Sequence, residues 1–356
     1  MFLLCVSLLS LSCAVPATAS GSETYGTLDL MTYNVSGVPV LGDTHSSQRK
    51  AIGGSRMGKI GEVLTGEDPD LVAVEEDFSF HDALSAAMSA FEYQSYPIAG
   101  LFGGDGLNVF SKYPIYNTVR TPWRIMYGVL SGACDRLAEK GILSFTMEPA
   151  PGVYIDFYVI HADCGHGVDY KSIDTRRDNF IQLREMIEQN SADRAVIVMG
   201  DFNSQYDREE RDDLYGTFVA PTGLKDVWAE LENGGNYVFK DRDTWTPDIP
   251  ESLDKVMYRD GGGVTFAPVE ISHYNITDEN GETYSDHRAT RAVLTFTADG
   301  ASPAPAGLIK PVPVSKTQYF INEFKGFIRA LTLALTHLYE IPYPYELYQK
   351  ITGTRL

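Results

Sequence analysis

Basic residues are scarce in this chain. Its 356 residues include 29 Lys and Arg against 48 Asp and Glu, a formal net charge of −19 at pH 7. Proteins that hold nucleic acid through a generally basic surface gain much of their binding free energy when Lys and Arg displace counterions. The composition argues against that mode of binding, although a nuclease with a locally basic groove stays possible. The acidity also suits a soluble exported protein and a site that collects divalent cations.

The chain begins with an apolar stretch that is too short and too interrupted for a transmembrane helix. This stretch, residues 1–19, lacks a Lys or Arg near Met1 but ends in the small residues Ala17-Thr18-Ala19. Small residues at this position are typical of a signal-peptide cleavage site. We therefore expect residues 1–19 to be removed and the protein to be secreted to the extracellular space.

Cysteine is also scarce, with four in the whole chain. Removal of residues 1–19 takes Cys5 and Cys13 and leaves only Cys134 and Cys164. In an oxidising compartment these two predict a single disulfide that holds the loop around Cys164 in place. Two separate buried thiols are the alternative.

Between residues 27 and 297 the composition does not shift, and no repeat is present. Short apolar runs that stop at Gly, Pro, Asn or Asp predict strands. The main runs are LDLMTYNV, DLVAVEE, LNVFS, GILSFTM, YIDFYVIHA, AVIVMGDF and AVLTFTA. Apolar residues at helical spacing predict helices over 56–65, 80–90 and 173–190. The alternation favours a mixed α/β sandwich with helices covering sheets from outside.

The composition changes after residue 298. Residues 299–314 are rich in Pro and Ala and predict an extended linker, and 315–356 form a tail. Within the tail, apolar residues at three- and four-residue steps predict an amphipathic helix over about 317–340. Such a helix either packs on the main domain or on a second copy, or lies on a membrane surface. The first is favoured because few basic residues flank the apolar side.

Eight polar residues stand at the ends of apolar runs, where an open sheet presents catalytic groups. They are Asn34, Glu76, His161, Asp201, Asn203, Asp254, Asp286 and His287. Carboxylate and amide oxygens suit a hard divalent cation, which could screen the charge of a phosphodiester. In the PDLVAVEED string, the alternation along the strand lets only one of Glu75 and Glu76 face the site.

The GDFNS string at 200–204 is the most specific of these motifs. Gly200 permits a sharp turn after an apolar strand, and Asp201 and Asn203 can then project from the same side. They could orient an attacking water and hold a phosphoryl oxygen, while an Asx-turn explains the same residues equally well. His287 can change protonation near neutral pH, and Asp254 is the carboxylate we expect to orient it.

Together the strings MTYNVSG, PDLVAVEED, GLNVFSKYPI, VIHADCG, VIVMGDFNS, SLDKV and YSDHR resemble the endonuclease/exonuclease/phosphatase superfamily over roughly residues 27–297. The resemblance implies a four-layered sandwich of two packed mixed β-sheets flanked by helices, occupying residues 20–298. It also implies Mg²⁺ as the usual metal, with Mn²⁺ or another divalent cation possible. Glu76 would be the principal metal ligand and Asn34 would lie beside it.

The same resemblance implies roles for the remaining residues. Asp201 would orient water and Asn203 would bind the phosphate. His161 would donate a hydrogen bond in the transition state, and Asp286 would be a second carboxylate for the metal or phosphate. His287, paired with Asp254, would act as acid and base.

Within the superfamily, the ACDRLAEKG string followed by VIHADCG is similar to the secreted sphingomyelinase branch. The resemblance implies a phospholipid headgroup as substrate and a disulfide across the same region. Residues 123–127 could touch a lipid interface or could be core and groove-wall residues. A secreted deoxyribonuclease, another phosphatase of the superfamily and a non-catalytic binding module stay open as alternatives. The sequence gives no oligomeric state, and Asn275 is the plausible acceptor of two N-glycosylation motifs.

Overall fold

Two six-stranded mixed β-sheets form the body of the molecule. The computed structural model describes residues 23–37, 53–98, 104–126, 138–164, 170–206, 214–237, 248–300 and 302–338. The predicted signal peptide, Cys134 and Tyr127 lie outside these residues. Within these ranges, none of the helices is both long and apolar enough to cross a bilayer.

The first sheet has the strand order β11-β12-β1-β2-β4-β3, and the second has the order β5-β6-β7-β8-β10-β9. The strands are β1 Thr24–Asn34, β2 Leu71–Glu75, β3 Tyr93–Gln94, β4 Asn108–Ser111, β5 Ile115–Pro122, β6 Gly141–Ala150, β7 Val153–His161, β8 Val196–Asp201, β9 Lys225–Asp226, β10 Asp254–Arg259, β11 Val264–Tyr274 and β12 Ala289–Ala298. Among the strands of the described residues, only β1 with β2 and β7 with β8 pair in parallel, so both sheets are mixed.

Helices connect or flank the strands. They are α1 Gly53–Gly66, α2 His81–Ala87, α3 Tyr170–Asn190, the short α4 Ala220–Thr222, α5 Val227–Glu232 and α6 Lys316–Leu338, with a π-helical segment at Tyr215–Val219. The three predicted helices of the body correspond to α1, α2 and α3. The predicted tail helix corresponds to α6.

The period-two pattern of the strands places side chains on two faces. In β1, Leu28 and Leu30 lie in the core between the sheets, while Met31 and Tyr33 pack with residues of α1 such as Ile60. All of these side chains are fully buried. Helix α3 is the crossover between the parallel strands β7 and β8, so it covers the second sheet as α1 and α2 cover the first. The predicted four-layered sandwich is confirmed.

The two sheets present corresponding ends of their strands at one edge of the sandwich. Parallel β1 and β2 both end there, with Asn34 opposite Glu75. Parallel β7 and β8 end with His161 opposite Asp201, and antiparallel β10 begins with Asp254 opposite Asp201. Strands of the first sheet contact β8 and β10 of the second. We call this edge the catalytic end, because the predicted site residues gather at it.

Candidate active site

Four predicted residues from both sheets meet at the centre of the catalytic end. Asn34 Nδ2 donates to Glu76 Oε1 at 3.2 Å and to Asp201 Oδ2 at 3.1 Å. His161 Nε2 lies 3.3 Å from Asp201 Oδ2 and 3.9 Å from Glu76 Oε1. Asn34, His161 and Asp201 are at most 1% exposed. The strand ends therefore bring an amide, two carboxylates and an imidazole into one cluster, in which only Glu76 is partly exposed.

Glu76, not Glu75, reaches this cluster. Strand β2 ends at Glu75, and Glu76 takes a left-handed backbone conformation with φ 57°. Gly37 stabilises that turn, because its N–H donates to the Glu76 carbonyl at 2.9 Å and a Cβ at Gly37 would lie 2.4 Å from the same oxygen. Glu75 is fully buried beneath the site and accepts a hydrogen bond from Thr32 Oγ1 at 2.7 Å.

A second group, the pair His287 and Asp254, flanks the cluster. His287 Nδ1 lies 2.9 Å from Asp254 Oδ2, and His287 Nε2 lies 3.7 Å from Asp201 Oδ2. The His287 side chain is 17% exposed, so part of it is open to solvent. Burial alone would lower the pKa of His287, but the charges of Asp254, Asp201 and Asp286 outweigh burial and raise it to about 11.

Asn203 and Asp286 occupy the margin of the site. The Asn203 N–H donates to Asp201 Oδ1 at 2.8 Å, so the GDFNS string forms an Asx-turn, and Asn203 has φ 49°. Its Nδ2 donates to the Ala162 carbonyl at 3.2 Å. Asp286 is exposed on the loop before β12. The turn fixes the Asp201 carboxylate and sets Asn203 beside the end of β7.

The electrostatics of the cluster are dominated by burial. Burial raises the pKa of Glu76 and of Asp201, while the nearby charge of Lys140 lowers both. Burial, and then the charges of Lys140 and His287, hold the pKa of His161 well below its usual value. His161 is therefore neutral at physiological pH, whereas His287 is charged in the metal-free protein.

Three supporting residues were not predicted from the sequence. Buried Arg56 donates to the carbonyls of Val35 at 3.0 Å and Ser36 at 2.8 Å and also bonds to the Tyr284 carbonyl, so it ties the end of β1 to the loop before His287. Trp123 Nε1 donates to the His161 carbonyl at 2.7 Å.

Lys140, which is 3% exposed, is the third. It lies in the ACDRLAEKG string, directly before β6. The resemblance of that string to the sphingomyelinase branch was the sequence feature that pointed to this region.

The donor set fits a hard divalent cation at Glu76. Two carboxylates, half-buried Glu76 and buried Asp201, share one amide donor, and oxygen ligands of this kind are those that Mg²⁺ takes in proteins. Asn34 presents its nitrogen to both carboxylates, while its Oδ1 accepts from the Ser36 N–H at 2.9 Å. As a metal ligand Asn34 would have to present Oδ1 instead. Asp201, Asp254 and His287 also offer ligand atoms within 4.8 Å of one another.

Comparison with known proteins gives three kinds of match. The profile of the Endonuclease/Exonuclease/phosphatase family matches residues 31–287. Proteins named sphingomyelinase from Mycobacterium bovis and Mycobacterium tuberculosis are 30% identical over 295 residues, covering 78% of this chain and 54% of theirs. The chain thus spans about half the length of these curated relatives.

Solved structures share the fold at low sequence identity. A beta toxin of Staphylococcus aureus has a TM-score of 0.50 at 16% identity and covers 74% of this chain and 99% of its own. A humanized TDP2 from D. rerio has a TM-score of 0.54 at 14% identity, with 75% and 98% covered. At such identities these matches show the fold alone.

Proposed function

This chain belongs to the Endonuclease/Exonuclease/phosphatase family, and from that premise we propose that it is a Mg²⁺-dependent phosphodiesterase of the sphingomyelinase type. Its substrate would be a phosphocholine lipid, from which it releases phosphocholine as a phospholipase C does. The choice of substrate is supported by the relatives named sphingomyelinase and by the ACDRLAEKG string. The observation that carries the proposal is the Asn34–Glu76–Asp201–His161 cluster beside the His287–Asp254 pair.

Glu76 would hold the cation, and Asp286, exposed on the neighbouring loop, would serve as a further carboxylate. When bound, Mg²⁺ supplies charge neutralisation to the phosphoryl oxygens and to the leaving oxygen. The trio of Asp201, Asp254 and His287 is a poorer metal site, because metal ligation requires a neutral imidazole and the pKa of His287 is raised. We assign that trio to proton transfer.

Asp201 would orient the attacking water. Its Oδ1 is fixed by the Asn203 N–H and its Oδ2 by Asn34 Nδ2, so the carboxylate cannot rotate away. A water positioned by Asp201 would form the new oxygen–phosphorus bond as the bond from phosphorus to the lipid oxygen breaks. Fixed orientation of this kind removes much of the entropic part of the barrier.

His287 would move the proton that this displacement requires. Its Nε2 lies 3.7 Å from Asp201 Oδ2, within reach through a small shift or a shared water, and Asp254 fixes the ring through Nδ1. Asp201 would accept the proton lost by the water, and charged His287 would deliver a proton to the lipid alkoxide and then regain one from Asp201. Asn203 would donate a hydrogen bond to one phosphoryl oxygen, and neutral His161, which carries a single N–H, would donate to another by turning Nε2 from Asp201 to the substrate.

The remaining predictions belong to this proposal. Secretion would place the enzyme outside the cell, where exposed lipid is its substrate. The Cys134–Cys164 disulfide would then secure the loop after His161. Of the two glycosylation motifs, Asn275 is exposed whereas Asn34 is fully buried, which leaves Asn275 as the acceptor.

A substrate panel tests the proposal. Sphingomyelin, phosphatidylcholine, plasmid DNA and an inositol polyphosphate are each incubated with wild type and with Asp201→Ala, in Mg²⁺ and in EDTA. We expect release of phosphocholine from sphingomyelin that requires Mg²⁺ and is lost in the variant. Nicked DNA without phosphocholine would overturn the lipid assignment in favour of a nuclease. No turnover of any substrate by folded, Mg²⁺-loaded protein would favour the binding-module alternative.

A further inference from the structure

Helix α6 carries a row of exposed apolar side chains. Phe320, Phe324, Phe327 and Leu331 are 72%, 57%, 52% and 48% exposed. Their spacing of four, three and four residues places them on one side of the helix, and we call them the apolar stripe. Four large apolar side chains side by side in water are unusual for a soluble protein surface and mark a contact site.

The opposite side of α6 faces the body. Asn322 and Lys325 line a cavity of about 750 Å³ together with Asp105, Arg120 and Glu139, and Gly326, which follows Lys325, is buried. Asn322 and Gly326 lie roughly half a turn away from the apolar stripe around the helix axis. The helix therefore approaches the body with its polar side at this cavity and turns its aromatic side outward.

The path of the chain brings α6 to the catalytic end. The Ser302 N–H bonds to the Gly152 carbonyl at 3.0 Å, at the β6–β7 turn on the opposite end of the sandwich. The chain then follows β5, where Asn117 Nδ2 donates to the Gly307 carbonyl at 2.8 Å and Asn117 Oδ1 accepts from Ile309 N–H at 3.0 Å. It then reaches the cavity beside Glu139. Glu139 is two residues before the start of β6, and β6 starts beside the His161 end of β7.

Nothing in the described part of the body offers a matching surface. Its exposed large apolar residues come singly from separate elements and loops: Tyr25, Phe80, Val119, Ile125, Tyr215, Leu231 and Val269. A second copy would bring two chains of net charge −19 together, which costs electrostatic free energy. A zwitterionic lipid surface carries no net charge, so it imposes no such repulsion.

We propose that the apolar stripe docks on a bilayer of phosphocholine lipids and holds the catalytic end against the headgroups. Phe and Leu side chains along one side of an amphipathic helix, as in the apolar stripe, are typical of helices that lie in the membrane interface. The choice of phosphocholine lipid rests on the proposed function, while the docking itself rests on α6 and its position.

The test compares three forms of the full-length protein. One is wild type, one is Phe320→Ser/Phe324→Ser/Phe327→Ser, and the control is Tyr25→Ser/Val269→Ser, which removes two apolar side chains that are 67% and 55% exposed outside α6. Flotation with vesicles of equal parts phosphatidylcholine and sphingomyelin is measured in EDTA, so that no substrate is consumed. We expect the triple variant to bind at least roughly 100-fold more weakly and the control to stay within about twofold of wild type.

Rates supply a second readout. Hydrolysis of vesicle sphingomyelin should fall in the triple variant, while hydrolysis of soluble bis(p-nitrophenyl) phosphate should not. The docking proposal is overturned if wild type does not float, or if the triple variant floats as wild type does. It is also overturned if light scattering shows a wild-type dimer that the triple variant dissociates, or if the triple variant unfolds at a clearly lower temperature. Flotation without any phosphocholine release would overturn the proposed function and leave the docking in place.

Discussion

Gly200 is the position where one added methyl group should disturb fold and site together. Its φ is 129°, a region that residues with a Cβ rarely adopt. A Cβ there would lie 2.2 Å from the Ile160 carbonyl oxygen and 2.9 Å from the Ile160 nitrogen, both backbone atoms of β7. Because backbone cannot rotate aside as a side chain does, β7 and β8 would have to separate just before His161 and Asp201.

The expected cost of Gly200→Ala follows from two contributions. Backbone strain at an unfavourable φ costs about 1–3 kcal/mol, and overpacking costs about 1–3 kcal/mol more. A total of about 2–6 kcal/mol should lower the melting temperature by roughly 5–20 °C in a domain of this size. Displacement of Asp201 from His161 by about 1 Å should also lower kcat/KM by roughly 100-fold.

Gly281→Ala is the matched control for calorimetry and kinetics. Gly281 also has a positive φ, 81°, but a Cβ at this position would have no atom within 4 Å among its described neighbours. This variant should lose only about 1–2 kcal/mol of stability and no activity. A difference of roughly 2 °C is the smallest that this comparison resolves. If Gly200→Ala melts within that difference of the control, the close approach of β7 and β8 at Gly200 does not limit the stability of the fold, and the reasoning is refuted.

Three further predictions concern the site. Asp201→Asn should lower kcat by roughly 10³-fold or more with no loss of melting temperature. The exposed control Asp299→Asn should retain wild-type kinetics. Near-normal turnover by Asp201→Asn would show that Asp201 does not orient the attacking water. In the metal-free protein the pKa of His287 is raised from 6.5 to about 11. Its charge therefore stabilises the fold fully below pH 6.5, and that contribution is lost as the pH rises toward 11. NMR should show a His287 imidazolium through pH 8, and a titration midpoint near 6.5 would contradict this prediction. Trp123→Phe should keep the packing but lose the bond to the end of β7, costing about 1 kcal/mol in denaturant unfolding, and an unchanged midpoint would show that the bond contributes nothing.

Much of the fold was predictable because local patterns determine it. The alternation in LDLMTYNV assigns Leu28 and Leu30 to one face and Met31 and Tyr33 to the other, as the structure shows. The resemblance to the family is confirmed by the profile match over residues 31–287. The polar residues at the strand ends were visible because they interrupt apolar runs, and the structure brings most of them to one edge.

Long-range geometry was not predictable. Arg56 acts on carbonyls 20, 21 and 228 positions away in the chain, and no local pattern encodes such contacts. The alternation along β2 indicated that only one of Glu75 and Glu76 faces the site, but it could not show which one. The strand ends at Glu75, and the left-handed backbone of Glu76, which directs its side chain, is not encoded in the alternation. The tail helix was predicted, but not that its linker follows β5 to the catalytic end.

The fate of ¹⁸O from labelled water during hydrolysis of sphingomyelin vesicles with Mg²⁺ tests the proposed reaction most directly. We expect one ¹⁸O in each phosphocholine released and none in the lipid alcohol, because water oriented by Asp201 attacks phosphorus and the bond from phosphorus to the lipid oxygen breaks. Asp201→Asn should release neither product at a comparable rate. Label in the lipid alcohol, or free choline in place of phosphocholine, would contradict the proposed reaction.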